Sequence, residues 1–309
     1  MKGRKRYMKR AIESKGRGVF ASILFVLSIC PVLGANDLKG VRQIEAGWAH
    51  TCALDDEGVK CWGYNHDGQT DVPKALVGVR QIAASYMTSC ALDERGVHCW
   101  GSNEFGQTDV PTTLVGIRQI AVGSFHACAV DQTGVKCWGE NKYGQINVPN
   151  TLAGVRQIAA GWGHTCVLDD KGVECWGYSD DGETQVPPSL VGVRQIAAGP
   201  WHTCALDDEG VKCWGFNKYG QNNVPNTLLG VQQISAGWGH TCAVDQGGVK
   251  CWGYNADGQT NVPHSLMGVK QIVAGDWHTC AVVEEGIKCW GSNEYGQTDV
   301  PNPVRKGGI

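Results

Sequence analysis

The sequence predicts an all-β protein, a seven-bladed β-propeller built from seven repeats of 38 residues. Three observations support this prediction: a glycine recurs every 38 residues, short β-prone segments alternate with turn residues, and each repeat holds two cysteines nine positions apart. We assign residues 36–305 to the propeller. Its repeats start, without any insertion between them, at Gly40, Gly78, Gly116, Gly154, Gly192, Gly230 and Gly268.

The first 35 residues predict a secretory signal peptide. Residues 1–18 carry eight Lys and Arg side chains against one acid, and residues 19–35 are uncharged and end in Gly34 and Ala35. This order of basic, apolar and small residues is typical of a cleaved leader. An uncleaved membrane anchor and lipidation at Cys30 are the alternatives. Pro31 interrupts an apolar run that is short for a span, and bulky Ile29 precedes the cysteine.

We therefore expect a secreted, periplasmic or cell-surface protein with no membrane attachment after cleavage, ending in a short tail at residues 306–309. The formal net charge is −3, but basic residues are concentrated in the leader, so the rest of the chain is clearly acidic. An acidic surface repels the phosphate backbone of nucleic acids. Nucleic acid is therefore not an expected partner.

The elements of a repeat follow in a fixed order, which the first repeat illustrates. A strand at 41–46 leads through the loop GWAH to a strand TCAL, an acidic turn DDEG, a strand VKCWG and a loop YNHDGQTDVP. Val, Ile, Thr, Cys and Trp favour strands, and Gly, Asp, Asn and Pro favour turns. Three strands, with a possible fourth at QTDV, form a sheet too small to bury both faces alone. Radial stacking of seven such sheets would bury them.

The acidic turn predicts a disulfide in every repeat. With Asp55 and Gly58 at the ends of a type I turn, Cys52 lies opposite Cys61. Opposed strand residues have Cβ atoms about 4.5–5.5 Å apart, which is close to what a disulfide requires. Buried free cysteines are the alternative, and the absence of CxxC spacing disfavours zinc. The expected pairs are Cys52–Cys61, Cys90–Cys99, Cys128–Cys137, Cys166–Cys175, Cys204–Cys213, Cys242–Cys251 and Cys280–Cys289.

Residues 155–187 carry a family resemblance. Their sequence, VRQIAAGWGHTCVLDDKGVECWGYSDDGETQVP, resembles a repeat of the regulator of chromosome condensation superfamily, with Gly-x-x-His-Thr, a glycine turn, a Trp-Gly strand and a Gly-containing loop. The resemblance extends over all seven repeats and implies a seven-bladed propeller. The short period is similar to that of bacterial members such as β-lactamase-inhibitor protein II. The resemblance also implies that strand 41–46 completes the last blade, over residues 278–300.

One ring of polar residues could carry chemistry, because imidazoles bind metals and transfer protons. It comprises His50, His126, His164, His202, His240 and His278, with Thr88 in the second repeat. Six equivalent copies instead favour a structural role in which each histidine bonds the backbone of a neighbouring blade. Catalysis needs one asymmetric constellation, so we expect no enzyme activity and no catalytic, cofactor-binding or metal-binding residue. The Trp-Gly tryptophans are expected in the core.

Two aromatic sets are the candidate partner-binding residues, since alternating strands send both loops to one face and the acidic turns to the other. Aromatic side chains in a polar surround are typical interface anchors, and packing within the fold is the alternative for both sets. The first comprises Trp48, Tyr86, Phe125, Trp162, Trp201, Trp238 and Trp277. The second comprises Tyr64, Phe105, Tyr143, Tyr178, Phe216, Tyr219, Tyr254 and Tyr295.

These features favour a secreted protein-binding propeller whose protein partner is unknown. Inhibition of a secreted enzyme such as a β-lactamase is a specific form of this function that the resemblance implies. Carbohydrate binding by the aromatic rings is an alternative. Guanine-nucleotide exchange, which the resemblance to eukaryotic members implies, is disfavoured by the signal peptide and by the lack of an insertion in any repeat.

Overall fold

The computed structural model describes residues 40–301 except Ser265. The predicted signal peptide, Cys30 and the tail at 306–309 lie outside these residues. Within them, each repeat forms one antiparallel sheet of three strands, which we call inner, middle and outer in chain order. No helix in the described part of the chain is long and apolar enough to cross a membrane.

The strands have nearly the same bounds in every repeat. The inner strands are Gln43–Ala46, Gln81–Ser85, Gln119–Val122, Gln157–Ala160, Gln195–Ala198, Gln233–Ala236 and Gln271–Ala274. The middle strands are His50–Asp55, Thr88–Leu92, His126–Asp131, His164–Asp169, His202–Asp207, His240–Asp245 and His278–Val283. The outer strands are Gly58–Gly63, Val97–Gly101, Gly134–Gly139, Gly172–Gly177, Gly210–Gly215, Gly248–Gly253 and Gly286–Gly291. The predicted all-β propeller of seven repeats is confirmed.

The acidic turn sets the register of each hairpin as predicted. Asp55 pairs with Gly58 and Cys52 with Cys61. The carboxylate of Asp55 accepts hydrogen bonds from the backbone N–H of Glu57 at 2.8 Å and of Gly58 at 3.1 Å, and Gly58 has a φ of +125° that favours glycine. All seven predicted disulfides are present, one within each repeat.

The hydrophobic core lies between neighbouring sheets rather than within one sheet. Leu92 and Ala83 of the second repeat pack against Ile120 and Trp138 of the third, and equivalent clusters recur around the ring. A single repeat therefore buries little apolar surface until its neighbours are in place.

The prediction of a possible fourth strand at residues 69–72 is wrong. This segment forms turns, because the side chain of Asn65 donates to Asp71 at 2.8 Å and accepts from the backbone N–H of Thr70 at 2.8 Å. The loop covers a sheet edge in another way. Its Gln69 carbonyl accepts hydrogen bonds from Trp100 Nε1 and from Ser89 Oγ of the next repeat, both at 2.9 Å.

The expected exchange of strand 41–46 into the last blade is also wrong. Inner strand Gln43–Ala46 pairs with the middle strand of its own repeat. The ring closes instead through contacts of the kind found at most of the other junctions: Thr51 lies 2.8 Å from His278 Nε2, and the Gln297 carbonyl accepts from Thr51 at 2.8 Å and from Trp62 at 3.0 Å. Because these contacts suffice at the closing junction, no strand needs to be exchanged.

A belt of glutamines joins the inner strands, and sequence reasoning missed it. The Gln195 amide donates to the Ile234 carbonyl at 3.0 Å and accepts from the Ile234 N–H at 2.8 Å, as a neighbouring strand would. At least one of these two bonds recurs at every junction, including the closing one. The fixed spacing of Gln43 and its counterparts, 38 residues apart, was the available signal.

Candidate binding face

Both aromatic loops lie on one side of the ring, which we call the aromatic face. The backbone N–H of Tyr64 donates to the Ala49 carbonyl at 2.8 Å, and the rings of Trp48 and Tyr64 lie 5.2 Å apart. The equivalent backbone bond recurs in the other repeats, for example from Phe216 to Trp201 at 2.9 Å. The two loops of each repeat are therefore fixed against each other.

Seven of the predicted binding residues are buried, with at most 6% of their surface exposed. They pack against one another, as Trp162 does against Trp201 with ring centroids 4.6 Å apart. A side chain with so little exposed surface offers little to a partner, so the packing alternative describes this group better. The group comprises Trp48, Tyr86, Trp162, Tyr178, Trp201, Trp238 and Trp277.

Eight other predicted residues are half-buried and form the accessible aromatic surface. Each rests on a neighbour: Tyr143 lies 5.2 Å from Trp162 and 5.0 Å from Tyr178, and Tyr64 lies 4.9 Å from Tyr295. Aromatic rings held in this way can be contacted without first losing conformational entropy. The accessible set comprises Tyr64, Phe105, Phe125, Tyr143, Phe216, Tyr219, Tyr254 and Tyr295.

Charged side chains of varying sign surround these rings. Lys142 Nζ lies 5.1 Å above the ring of Tyr143, and Lys218 Nζ lies 5.8 Å above that of Tyr219, whereas the first repeat places Asp67 in this loop. Burial, and next the carboxylate of Asp67, raises the pKa of Tyr64. The phenol therefore stays protonated near neutral pH and can donate a hydrogen bond.

The six histidines that form a ring around the propeller make hydrogen bonds between repeats. His126 Nε2 lies 2.9 Å from the Thr165 hydroxyl of the next repeat, whose own proton goes to the Gln145 carbonyl at 2.9 Å. The hydroxyl must therefore accept from the histidine, which fixes the Nε2–H tautomer. The bond crosses between repeats as expected, but it reaches a hydroxyl group and not the backbone. In the described residues, no group of three or more His, Cys, Asp or Glu side chains could hold a metal ion.

The face that carries the acidic turns is less uniform than the sequence suggested. In five repeats, the residue directly before the glycine that starts the repeat has a large apolar side chain, and 51–78% of its surface is exposed. These residues lie beside the acidic turns, since the backbone N–H of Glu94 donates to the Val77 carbonyl at 3.1 Å. The apolar set comprises Val77, Val115, Val191, Leu229 and Met267.

Together, these features define an all-β ring of repeats with one face of accessible aromatic residues. The sequence profile of the regulator of chromosome condensation (RCC1) repeat matches residues 41–69, 79–107, 117–145, 155–183, 193–221, 231–259 and 269–297. The chain therefore belongs to the RCC1-repeat family. A search of curated protein sequences finds no match.

Solved structures show the same architecture. The ectodomain of the Physcomitrella patens receptor kinase CR4 matches with a TM-score of 0.69 and 25% identity, over 82% of this chain and 73% of that one. The ectodomain of the Arabidopsis thaliana receptor kinase ACR4 matches with a TM-score of 0.67 and 23% identity, over 81% of this chain and 97% of that one. Prp20p from Saccharomyces cerevisiae, described with its binding to Gsp1p and histones, matches with a TM-score of 0.68 and 21% identity, over 76% of this chain and 80% of that one.

Proposed function

We propose that this chain is a protein-binding propeller that recognises its partner through the aromatic face. The observation that carries the proposal is the half-buried Tyr and Phe set, held on loops by a buried layer of aromatic rings. Rigid aromatic anchors within a polar surround are the usual source of binding energy in protein interfaces.

The variation among repeats supports specific recognition. The residues that follow Trp-Gly run YNHD, SNEF, ENKY, YSDD, FNKY, YNAD and SNEY, so the loops differ in charge and in the place of the aromatic residue. A sevenfold scaffold can distinguish partners only through what differs among its repeats. Prp20p, the relative described with Gsp1p and histones, is consistent with a protein partner.

Secretion is part of the proposal. Seven disulfides fit an oxidising compartment, and the basic and apolar leader fits export. The partner is then an exported protein, and inhibition of a secreted enzyme is one form that such binding could take.

The test starts from capture of partners by the immobilised oxidised protein from the secreted fraction of its own organism. Affinity for the captured protein is then measured for Tyr143→Ala and Phe216→Ala, with Asp208→Ala and Glu209→Ala on the opposite face as controls. Loss of an aromatic anchor typically costs about 2 kcal/mol or more, which is roughly thirtyfold in affinity.

Weakened binding in the aromatic variants with unchanged controls would support the proposal. Weakened binding in the controls alone, with all variants folded, would place recognition on the other face. Displacement of the partner by soluble cell-wall polysaccharide would instead indicate a carbohydrate-binding function.

A further inference from the structure

The seven inner strands line a central channel of about 1030 Å³, counting the open space at its mouths. Gln, Ile and Ala residues of these strands form most of its walls, but the Ile side chains are buried in the core between the sheets. Glu45 and Asp276 are the only charged residues that line it, and no Lys, Arg or His does so among the described residues. The channel is therefore acidic, and none of its own side chains supplies a positive charge.

Glu45 breaks the symmetry of this wall. The equivalent position in the other repeats holds a small or uncharged residue: Ala83, Ala121, Ala159, Ala197, Ser235 or Val273. Six inner strands therefore form without a carboxylate at this position, so the fold does not require one there. Glu45 also lies next to the last residue of its strand, close to the end that leads to the aromatic face.

The surroundings of Glu45 do not balance its charge. Its carboxylate accepts one hydrogen bond from Gln43 Nε2 at 2.8 Å, but burial outweighs this bond and raises the pKa of Glu45 from 4.5 to about 7. The neighbouring inner strands, Gln81–Ser85 and Gln271–Ala274, carry no ionisable side chain. Above pH 7 an ionised carboxylate thus faces the channel, and a partly desolvated charge without a counter-ion is costly.

We propose that the channel binds an organic cation, either a primary ammonium or a guanidinium group, whose charge pairs with Glu45 while its carbon chain lies along the alanines of the inner strands. A free amine and a Lys or Arg side chain share this chemistry. A divalent metal ion fits less well, since it requires about six oxygen ligands and the described residues offer no group of three. The site does not depend on the proposed function of the aromatic face.

The experiment uses the oxidised full chain and the probe n-butylammonium chloride, with n-butanol as the neutral analogue. Binding is followed by calorimetry and by the carbon-13 signal of the Glu45 carboxyl group. We expect binding of the cation but not of the alcohol at pH 8.5, and a lower pKa of Glu45 in its presence. At pH 5.5 the affinity should fall about thirtyfold, because protonation of Glu45 competes with the cation.

Glu45→Ala is the matched variant, since the second to fifth repeats already carry alanine there and fold. It should lose ammonium binding and the pH dependence, whereas Glu57→Ala on the opposite face should keep both. A short lysine peptide that binds more tightly than n-butylammonium would assign the site to a partner's side chain, and weaker binding would assign it to free amines. Equal affinity in Glu45→Ala, equal affinity at both pH values, or binding of calcium chloride but not of the ammonium would overturn the proposal.

Discussion

At the scale of single residues, the six buried histidines link folding to pH. Burial lowers the pKa of His50 and His164 from 6.5 to about 4, and burial lowers that of the remaining four to about 3. In the unfolded chain each pKa returns to about 6.5. Between these values the unfolded chain binds more protons, so the free energy of unfolding falls as the pH falls.

We therefore predict a steep loss of stability below pH 6.5. Each histidine contributes up to about 1.4 kcal/mol per pH unit, and above pH 6.5 this contribution is absent because both states are neutral. Glu45 opposes the trend between pH 7 and 4.5, since its raised pKa makes the folded state the better proton acceptor there. Thermal unfolding at pH 7.5, 5.5 and 4.5 measures the slope.

His240→Thr is the control for this prediction, because the second repeat carries Thr88 at the equivalent position and folds. The variant should be less stable at pH 7.5, since it loses the bond from His240 to Thr279 at 2.9 Å. Its stability should also change less with pH. A slope equal to that of the parent would show that the histidines do not carry the acid sensitivity.

At the scale of elements, the glutamine belt takes the place of hydrogen bonding between sheets. Gln195→Ala removes both bonds to Ile234, which leaves a backbone donor and acceptor of the next inner strand without those partners. We predict a loss of about 1–3 kcal/mol in the free energy of unfolding, measured by denaturant titration.

Gln132→Ala, in the exposed acidic turn of the third repeat, is the matched control and should change stability little. If Gln195→Ala also leaves the free energy of unfolding unchanged, water in the channel replaces the lost hydrogen bonds to the Ile234 backbone, and the glutamine belt does not stabilise the ring. A loss in Gln195→Ala alone would establish that it does.

The elements also show what could be predicted from the sequence. The three strands, the turn and the disulfides were predictable, because they follow from local residue types and from the pairing that Asp55 and Gly58 impose. The loop at residues 64–72 was not, since its partners Ser89 and Trp100 belong to the next repeat. Burial of Trp48 and Tyr178, in contrast to the accessibility of Tyr143, likewise depends on neighbouring repeats and has no signal within one repeat.

At the scale of the whole molecule, the closing junction resembles most of the others, and only the junction of the second and third repeats, with Thr88 and Ala127, lacks the histidine–hydroxyl pair. The first and last repeats meet through the His–Thr bond, the glutamine amide and the loop carbonyl, as most other repeats do. Because no strand is exchanged there, the junction between the first and last repeats has no special structural role. The ring should then tolerate new termini between any two repeats.

We predict that a circular permutant beginning at Gly154 folds with nearly the parent's thermal stability. Its chain runs from 154 to 301, continues through a copy of Lys74–Val77 that reproduces the natural linker before Gly78, and then from 40 to 153. A second permutant beginning at Gly210 is the control. It cuts the turn in which the Asp207 carboxylate accepts from Glu209 at 2.9 Å and Gly210 at 3.0 Å, and should unfold roughly 2–4 °C lower for each kcal/mol lost. If the permutant beginning at Gly154 were the less stable of the two, the junction between the first and last repeats would have a role that its contacts do not reveal.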